Sequence, residues 1–354
     1  MMSWESNVRK VVPYVPGEQP KVNKVIKLNT NENPYPPAPG VQAAMERYTQ
    51  RAEELRLYPS PTVENLVNDL AEYYHLSPEQ VFVGVGSDDV LATAFLTFFN
   101  GEKPVVFPDI TYSFYEVWAQ LYKIPYVCKP VDGKLRLCKD DYIGEYGGIV
   151  IANPNAPTAI AESCEWIEDI IKANPDCVVI VDEAYVDFGA QTCIPLIEKY
   201  ENLLVVQTFS KSRSLAGLRV GIGMGNKKLI RFLNDVKFSI NSYTINRPTL
   251  EYASESLKDE AYFRSCVERI CKTREWTKEQ LEALGFTMTD SKTNFLFAKH
   301  EIVPAEELFE MLKTKNIFVR HFKAERVNEY LRISIGTEEE MKVLIRELSA
   351  YLAK

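Results

Sequence analysis

Residues that could bind an anion follow one of the short apolar runs of the chain. The run Val81–Val85 leads into Gly86-Ser87-Asp88-Asp89, and Gly84 lies two residues before Gly86. Two glycines would let backbone amides approach an anion at the start of a helix, where the helix dipole also favours negative charge. The third glycine of a dinucleotide fingerprint is absent, so the sequence does not predict NAD binding.

An acid, an amine and a guanidinium lie beside three other apolar runs. Asp182 ends the run 178–181, Lys211 follows the run 203–206, and Arg219 precedes the run 220–224. Each of them alone is more simply explained as a turn cap or a solvated surface charge. Together they form an ordered set at strand ends, which is where open α/β sheets bind their ligands.

The apolar runs that carry these residues predict a sheet that is buried on both faces. The runs are short, rich in β-branched residues and lack polar alternation, which is typical of parallel strands covered by helices. We therefore predict an α/β domain with a mostly parallel sheet over 30–246, preceded by an arm over 1–29 and followed by a smaller α+β domain over 247–354. Helices are predicted at 41–54, 62–74 with Thr62 as N-cap, 305–315 and 249–284, and a last one starts at a Thr337/Glu340 capping box.

Composition limits the class of protein. The chain has 354 residues, which suggests about two domains, and its net charge of −8 argues against nucleic acid or an anionic membrane as the main partner. The longest apolar stretch, 90–99, is too short for a membrane span. No apolar signal segment begins the chain, so we expect a cytoplasmic protein with reduced cysteines. Seven cysteines without a CxxC pair and three histidines predict no metal site.

The order of these motifs resembles the fold-type I pyridoxal-phosphate (PLP) enzymes, the aspartate-aminotransferase superfamily. Within that superfamily the chain is most similar to the histidinol-phosphate aminotransferases, through PYVPGEQP, LNTNENP and LRLYPSP. The resemblance implies a seven-stranded, mostly parallel sheet flanked by helices. The segments that carry it are LNTNENP (28–34), RLYPSP (56–61), TYSFY (111–115), NPNAPT (153–158), DEAY (182–185), TFSKSRSLAGLRVG (208–221) and YLRISIGT (330–337).

The resemblance implies a role for three catalytic residues. Lys211 would bind the PLP aldehyde as a Schiff base and later move a proton, since a lysine amine has a flexible stem and a tunable pKa. Asp182 would pair with the protonated pyridine nitrogen, and Tyr185 would donate to the ring oxygen.

The remaining cofactor contacts are implied in the same way. Tyr112 would stack on the pyridine ring, and Arg219 and Ser210 would bind the phosphate together with the backbone amides of Ser87 and Asp88. Tyr58 would reach the phosphate of a neighbouring subunit, which implies a homodimer with a shared active site.

The substrate contacts come from the second domain, the arm and the partner. Arg332 would hold a carboxylate, Arg320 and Tyr14 would hold a substrate phosphate, and Tyr243 would come from the partner subunit. One departure is notable, because this chain has Ala156 where the family usually has an asparagine that contacts the ring oxygen. Asn155, one residue earlier, is the candidate replacement.

The resemblance implies transamination between L-histidinol phosphate or imidazole-acetol phosphate and glutamate or 2-oxoglutarate, a step of histidine biosynthesis. Three alternatives stay open at this point. An aromatic-amino-acid aminotransferase and a threonine-phosphate decarboxylase would use the same fold. A PLP-binding regulator would need a DNA-binding module, for which the arm is too short.

Overall fold

The computed structural model describes residues 4–14, 17–20 and 25–353. Its strands, in chain order, are β1 Ile26–Lys27, β2 Val81–Gly84, β3 Val105–Pro108, β4 Tyr126–Lys129, β5 Gly148–Ala152, β6 Val178–Asp182, β7 Leu203–Thr208, β8 Gly221–Gly225, β9 Phe286–Met288, β10 Phe295–His300, β11 Ile317–Phe318, β12 Arg320–His321 and β13 Leu331–Ser334. Its α-helices are α1 Pro39–Thr49, α2 Glu64–Tyr74, α3 Ser87–Phe98, α4 Phe114–Tyr122, α5 Cys164–Ala173, α6 Lys227–Ile240, α7 Arg247–Leu257, α8 Glu260–Ala283, α9 Ala305–Thr314 and α10 Glu338–Leu352.

Seven strands form the large sheet in the order β2-β8-β7-β6-β5-β3-β4. Only β8 among them runs antiparallel to its neighbours, β2 and β7. The central strands are buried along their whole length, and apolar cores lie on both faces of the sheet. The predicted α/β class with a mostly parallel sheet is therefore confirmed, and the strand ends that carry polar residues meet at one edge.

The second unit is a four-stranded antiparallel sheet in the order β12-β13-β10-β9. The helices α8, α9 and α10 cover it and contribute to its own apolar core. The short strand β1 pairs in parallel with β11, so the chain that leaves the arm is hydrogen-bonded to this unit before it enters the large one. The segment after β1 consequently lies between the two sheets.

Two local predictions are wrong, and one strand was not predicted. The helix predicted over 249–284 is two helices, because Asp259 accepts a hydrogen bond from the amide of Tyr262 and starts α8 afresh. The predicted N-cap Thr62 lies outside the helix, since α2 is preceded by Val63 in a left-handed conformation without a side-chain cap. The edge strand β4 was not predicted, because its half-exposed residues lack the apolar run that marks the other strands.

The helix α7 packs on the large unit. Tyr252, Ala253 and Leu257 belong to the apolar core that also contains α1 and α2. The predicted boundary at 246/247 precedes this helix, whereas the packing places α7 with the large sheet and α8 with the small one. The capping box at Thr337 and Glu340 is present as predicted.

No helix within the described ranges combines the length and the apolar character that a membrane crossing requires.

Candidate active site

A cavity of about 690 Å³ opens at the sheet edge where the polar strand ends meet. Residues from the large sheet, the small sheet, the arm and the segment after β1 all line it. Most of the predicted site residues are among them: Tyr14, Ser87, Asp88, Tyr112, Asp182, Tyr185, Ser210, Lys211, Arg219, Arg320 and Arg332.

Lys211 projects into this cavity from the turn after β7. Its Nζ donates a hydrogen bond to the backbone carbonyl of Thr30 at 3.2 Å and lies 5.8 Å from the ring centre of Tyr185. The backbone of the turn is also held, since Asn33 Nδ2 donates to the carbonyls of Lys211 and Ser212 at 3.1 Å each. The backbone that carries Lys211 is therefore held in place, and the hydrogen-bond partner of its amine is uncharged.

Asp182 is a buried carboxylate at the end of β6. Its Oδ2 accepts from the Tyr115 hydroxyl at 2.7 Å, and its Oδ1 accepts from the amide of Ala184 at 3.1 Å. Burial raises its pKa to about 6, although both hydrogen bonds act in the opposite direction. No cationic side chain of the described residues forms an ion pair with it, so a cation in the cavity would find an unpaired acid.

The turn between β2 and α3 brings several hydrogen-bond donors to one corner of the cavity. Gly86 has φ of 85°, and a Cβ there would lie 2.6 Å from Arg219 Nη2, so only glycine fits. The first amides of α3, at Ser87 and Asp88, have no acceptor within the helix. Arg219 Nη2 lies 3.3 Å from Asp88 Oδ2, and Arg219 Nη1 lies 3.5 Å from Ser210 Oγ. Amides, a hydroxyl and a guanidinium thus converge on one corner.

Two tyrosines, Tyr112 and Tyr185, line the cavity. Tyr112 donates its hydroxyl hydrogen to Asp88 Oδ1 at 2.7 Å, and burial raises its pKa, so it is a neutral aromatic surface. Tyr185 packs edge-on against Phe295, with ring centres 5.2 Å apart. Its hydroxyl accepts a hydrogen bond from Asn31 Nδ2 at 2.8 Å.

Two arginines face the cavity from the small sheet. Arg320 on β12 is the direct cross-strand partner of Arg332 on β13. Arg332 donates to the carbonyl of Asn29 at 2.9 Å, and its Nε is buried without a hydrogen-bond partner. Burial lowers the pKa of Arg332, and Arg320 opposes its charge as well. Like charges placed opposite each other are destabilising, which favours an anion between them.

The arm covers one side of the cavity. Tyr14 stacks on Phe114 with ring centres 4.2 Å apart, and Phe114 stacks on Trp118 in the same helix. Farther along the arm, the side chains of Glu18 and Lys313 form an ion pair at 2.8 Å with the small unit. The arm therefore contacts both units across the cavity.

Three predicted site residues do not line this cavity. Asn155 is buried beneath it, where its Nδ2 donates to the Ile110 carbonyl and to Thr158 and its Oδ1 accepts from Thr111. Its amide is fully used, so the structure does not support the predicted replacement for Ala156. Tyr58 and Tyr243 lie outside, with their rings tilted against each other and the ring centres 4.7 Å apart.

Sequence reasoning missed the segment after β1 as a source of site residues. Asn29, Thr30, Asn31 and Glu32 all line the cavity. The motif LNTNENP carries the resemblance to the aminotransferases, but the sequence alone does not indicate what the side chains of this motif contact. Tyr115, which donates a hydrogen bond to Asp182, was also missed, because the carboxylate that its hydroxyl contacts is 67 residues away in sequence.

Known proteins match the chain along almost its whole length. The sequence model of the family described as aminotransferase class I and II matches residues 23–348. The chain belongs to this family. The aminotransferase is 52% identical over 353 residues to a histidinol-phosphate aminotransferase of Lactococcus lactis subsp. lactis (strain IL1403), covering 100% of this chain and 98% of that one. It is 48% identical to a protein of the same name from Clostridium botulinum (strain Okra), covering 99% of both chains.

Solved structures agree on the fold of this aminotransferase. A histidinol-phosphate aminotransferase from Sinorhizobium meliloti, in complex with pyridoxal-5'-phosphate, matches with a TM-score of 0.84 at 22% identity and covers 93% of this chain and 91% of that one. The enzyme of the same name from Clostridium acetobutylicum matches with the same TM-score of 0.84 at 21% identity, covering 93% of this chain and 99% of that one. The predicted family and fold class are confirmed.

Proposed function

We propose that the chain is a PLP-dependent aminotransferase that moves an amine from glutamate to imidazole-acetol phosphate, giving 2-oxoglutarate and L-histidinol phosphate, or runs in the reverse direction, as a step of histidine biosynthesis. The observation that carries the proposal is the convergence of Lys211, Asp182 and Arg219 on one cavity, whose lining also includes Arg332. Relatives that are about half identical over the whole chain and carry the name histidinol-phosphate aminotransferase support the substrate.

The residues of the cavity fit PLP. The corner formed by Gly86, the first amides of α3, Ser210 and Arg219 offers donors for a phosphate, and its glycine leaves space that a side chain would fill. Asp182 is a buried acid without a cationic partner among the described residues, which suits a protonated pyridine nitrogen. Tyr112 offers an aromatic surface beside that corner. Lys211 has the one amine of the described cavity lining, which suits the PLP aldehyde.

PLP, when bound, supplies the electron sink that stabilises negative charge at the substrate Cα. The chain supplies positions and protons. Asp182 would hold a proton at the pyridine nitrogen, and Tyr185 would donate a hydrogen bond to the neighbouring ring oxygen. The Lys211 amine would hold and move the proton that leaves the substrate Cα.

The two arginines explain how one pocket could serve two substrates. Histidinol phosphate carries a phosphate and glutamate carries carboxylates, and all of these anions suit Arg332 and its cross-strand partner Arg320. Arg332 gains most from an anion, because its guanidinium is buried and forms no ion pair with another described residue. Tyr14 closes the same side of the cavity from the arm.

A homodimer accounts for the residues that do not reach the cavity. Tyr58 is 77% exposed and Tyr243 is 46% exposed, and exposed Leu55, Leu57 and Ile240 are close to them in sequence. Large exposed apolar patches on a soluble chain usually mark an interface. In the proposed dimer, Tyr58 and Tyr243 enter the partner's site. The predicted cytoplasmic location stays a prediction.

A half-reaction screen tests the proposal. The PLP-loaded protein is mixed separately with histidinol phosphate, glutamate, phenylalanine and threonine phosphate, and the visible absorbance of the bound cofactor is followed. Histidinol phosphate and glutamate should convert it, and phenylalanine should do so far more slowly. The Lys211→Ala variant should lack both the wild-type absorbance and turnover. A preference for phenylalanine, or release of CO₂ from threonine phosphate, would replace the proposed substrate with one of the alternatives.

A further inference from the structure

The segment 29–33, between β1 and α1, contacts several other groups that line the cavity. The carbonyl of Asn29 accepts from Arg332 at 2.9 Å, and the carbonyl of Thr30 accepts from Lys211 at 3.2 Å. Asn33 Nδ2 donates to the carbonyl of Lys211 at 3.1 Å. The segment thus contacts both the amine and the arginine to which the proposed function gives chemical roles.

Asn31 makes the one side-chain contact between this segment and Tyr185 that involves the phenolic oxygen. Its Nδ2 donates to Tyr185 Oη at 2.8 Å. The Ser334 hydroxyl accepts from the backbone amide of Asn31 and donates to its Oδ1, both at 2.9 Å. Since Ser334 takes the oxygen end of the amide, the nitrogen end faces Tyr185. Asn31 is only 1% exposed, so this arrangement has no room to rotate.

The contact determines where the hydrogen of the Tyr185 hydroxyl goes. A phenolic oxygen that accepts from an amide keeps its own hydrogen for another acceptor. The apolar side chains that pack beside this tyrosine, among them Phe295, Ala156 and Ala159, cannot accept it, and the described residues offer the hydroxyl no hydrogen-bond acceptor. The hydrogen is therefore directed into the cavity.

We propose that Asn31 is a positioning residue that acts through Tyr185. It orients the phenol so that its hydrogen points to the cofactor ring oxygen, and it stabilises the charge that builds on the phenolic oxygen when that bond strengthens. This inference rests on the proposed function, because it takes the acceptor in the cavity to be the PLP ring oxygen.

Two variants at this position separate orientation from simple packing. Asn31→Gly removes the side chain, and glycine suits the local φ of 56° better than alanine would. Asn31→Asp keeps the shape and the bond from Ser334, but it offers Tyr185 an acceptor instead of a donor. Asn174→Ala is the matched control, because Asn174 is an equally buried asparagine with two donated hydrogen bonds far from the cavity.

The readout is the pH midpoint of the visible absorbance change of the PLP-bound protein. Both Asn31 variants should move this midpoint to higher pH, by about half a unit or more, since the ring oxygen is then less well stabilised as an anion. The kcat should fall about tenfold, the size expected for one hydrogen bond. Asn174→Ala should lower thermal stability without moving the midpoint.

A double-mutant cycle shows whether the effect passes through the phenol. In a Tyr185→Phe background, Asn31→Gly should change kcat by less than about twofold. It should move the pH midpoint of the absorbance change by less than about a tenth of a pH unit, because the hydroxyl is already gone. Full additivity of the two substitutions, or an unmoved midpoint in both Asn31 variants, would overturn the inference. Wild-type protein that bound PLP but rejected histidinol phosphate would refute the proposed substrate alone, and wild-type protein that bound no PLP would refute both.

Discussion

Replacing Asp182 by asparagine should stabilise the cofactor-free protein at neutral pH, although it removes a residue of the proposed site. Burial raises the pKa of Asp182 from 3.8 to about 6. A raised pKa means that the folded state disfavours the charged carboxylate. This group therefore costs stability progressively as the pH rises from about 4 to 6, and at pH 8 the full cost is about 3 kcal/mol, taking 1.36 kcal/mol per pKa unit.

The substitution also has a cost of its own. Asparagine can accept from Tyr115 or from the amide of Ala184 with its one oxygen, so one of the two hydrogen bonds is lost, at about 1 kcal/mol. The net gain at pH 8 is then about 2 kcal/mol. At pH 4 the wild-type acid is already protonated, so the gain disappears and the variant should be slightly less stable.

Thermal unfolding of the cofactor-free wild type and of Asp182→Asn between pH 4 and 8 measures how the stability difference between them changes with pH. The variant should melt a few degrees higher at pH 8 and at or below the wild type at pH 4. Asp169→Asn is the control on the surface, because Lys139 lowers the pKa of Asp169 and the pH dependence should have the opposite sign. A melting difference between Asp182→Asn and wild type that stays constant across this range would refute the reasoning.

Three further results are expected. Gly221→Ala should destabilise the protein and abolish cofactor retention, because the new Cβ would lie 2.2 Å from the backbone of Gly86, in the turn before α3. Gly217→Ala is its control, since a Cβ there meets nothing within 4 Å, and the melting temperature and cofactor content should stay unchanged. Arg332→Lys should raise the KM for histidinol phosphate about tenfold without changing the bound-cofactor spectrum, and an unchanged KM would count against the substrate role. Mixing equal amounts of the inactive Tyr58→Ala and Lys211→Ala subunits should restore about a quarter of wild-type activity if the two subunits share their sites. About half of the dimers then contain both variants, and one of the two sites in each of these dimers is intact. No recovery of activity would contradict shared sites.

The sequence predicted the parts of the fold that depend on continuous apolar patterns. The strands predicted at 81–85, 178–181, 203–206 and 220–224 are buried in the large sheet, and their apolar runs mark them clearly. The edge strand β4 lacks this mark because two of its four residues are exposed. The break before α8 depends on one capping bond of Asp259, which an amphipathic period does not reveal.

The candidate site was predictable where chemistry coincides with a strand end. Asp182, Lys211 and Arg219 follow that rule, and the structure brings them to one cavity. Asn31 does not, because it lies in an irregular segment and its contact to Tyr185 spans 154 residues. Asn155 was predicted to reach the cavity because it lies next to Ala156 in sequence. Its side chain instead lies beneath the cavity and is hydrogen-bonded to the backbone carbonyl of Ile110.

The reversed direction of β8 has a consequence for motion. Lys211 and Arg219 lie on the single connection between β7 and β8, and the hydrogen bonds of these neighbouring strands fix both of its ends. Arg332 lies on the separate small sheet. A rotation of the small unit would therefore change how far Arg332 stands from Lys211 while leaving the distance from Lys211 to Arg219 unchanged. The cofactor side and the substrate side of the cavity are therefore positioned by two different sheets.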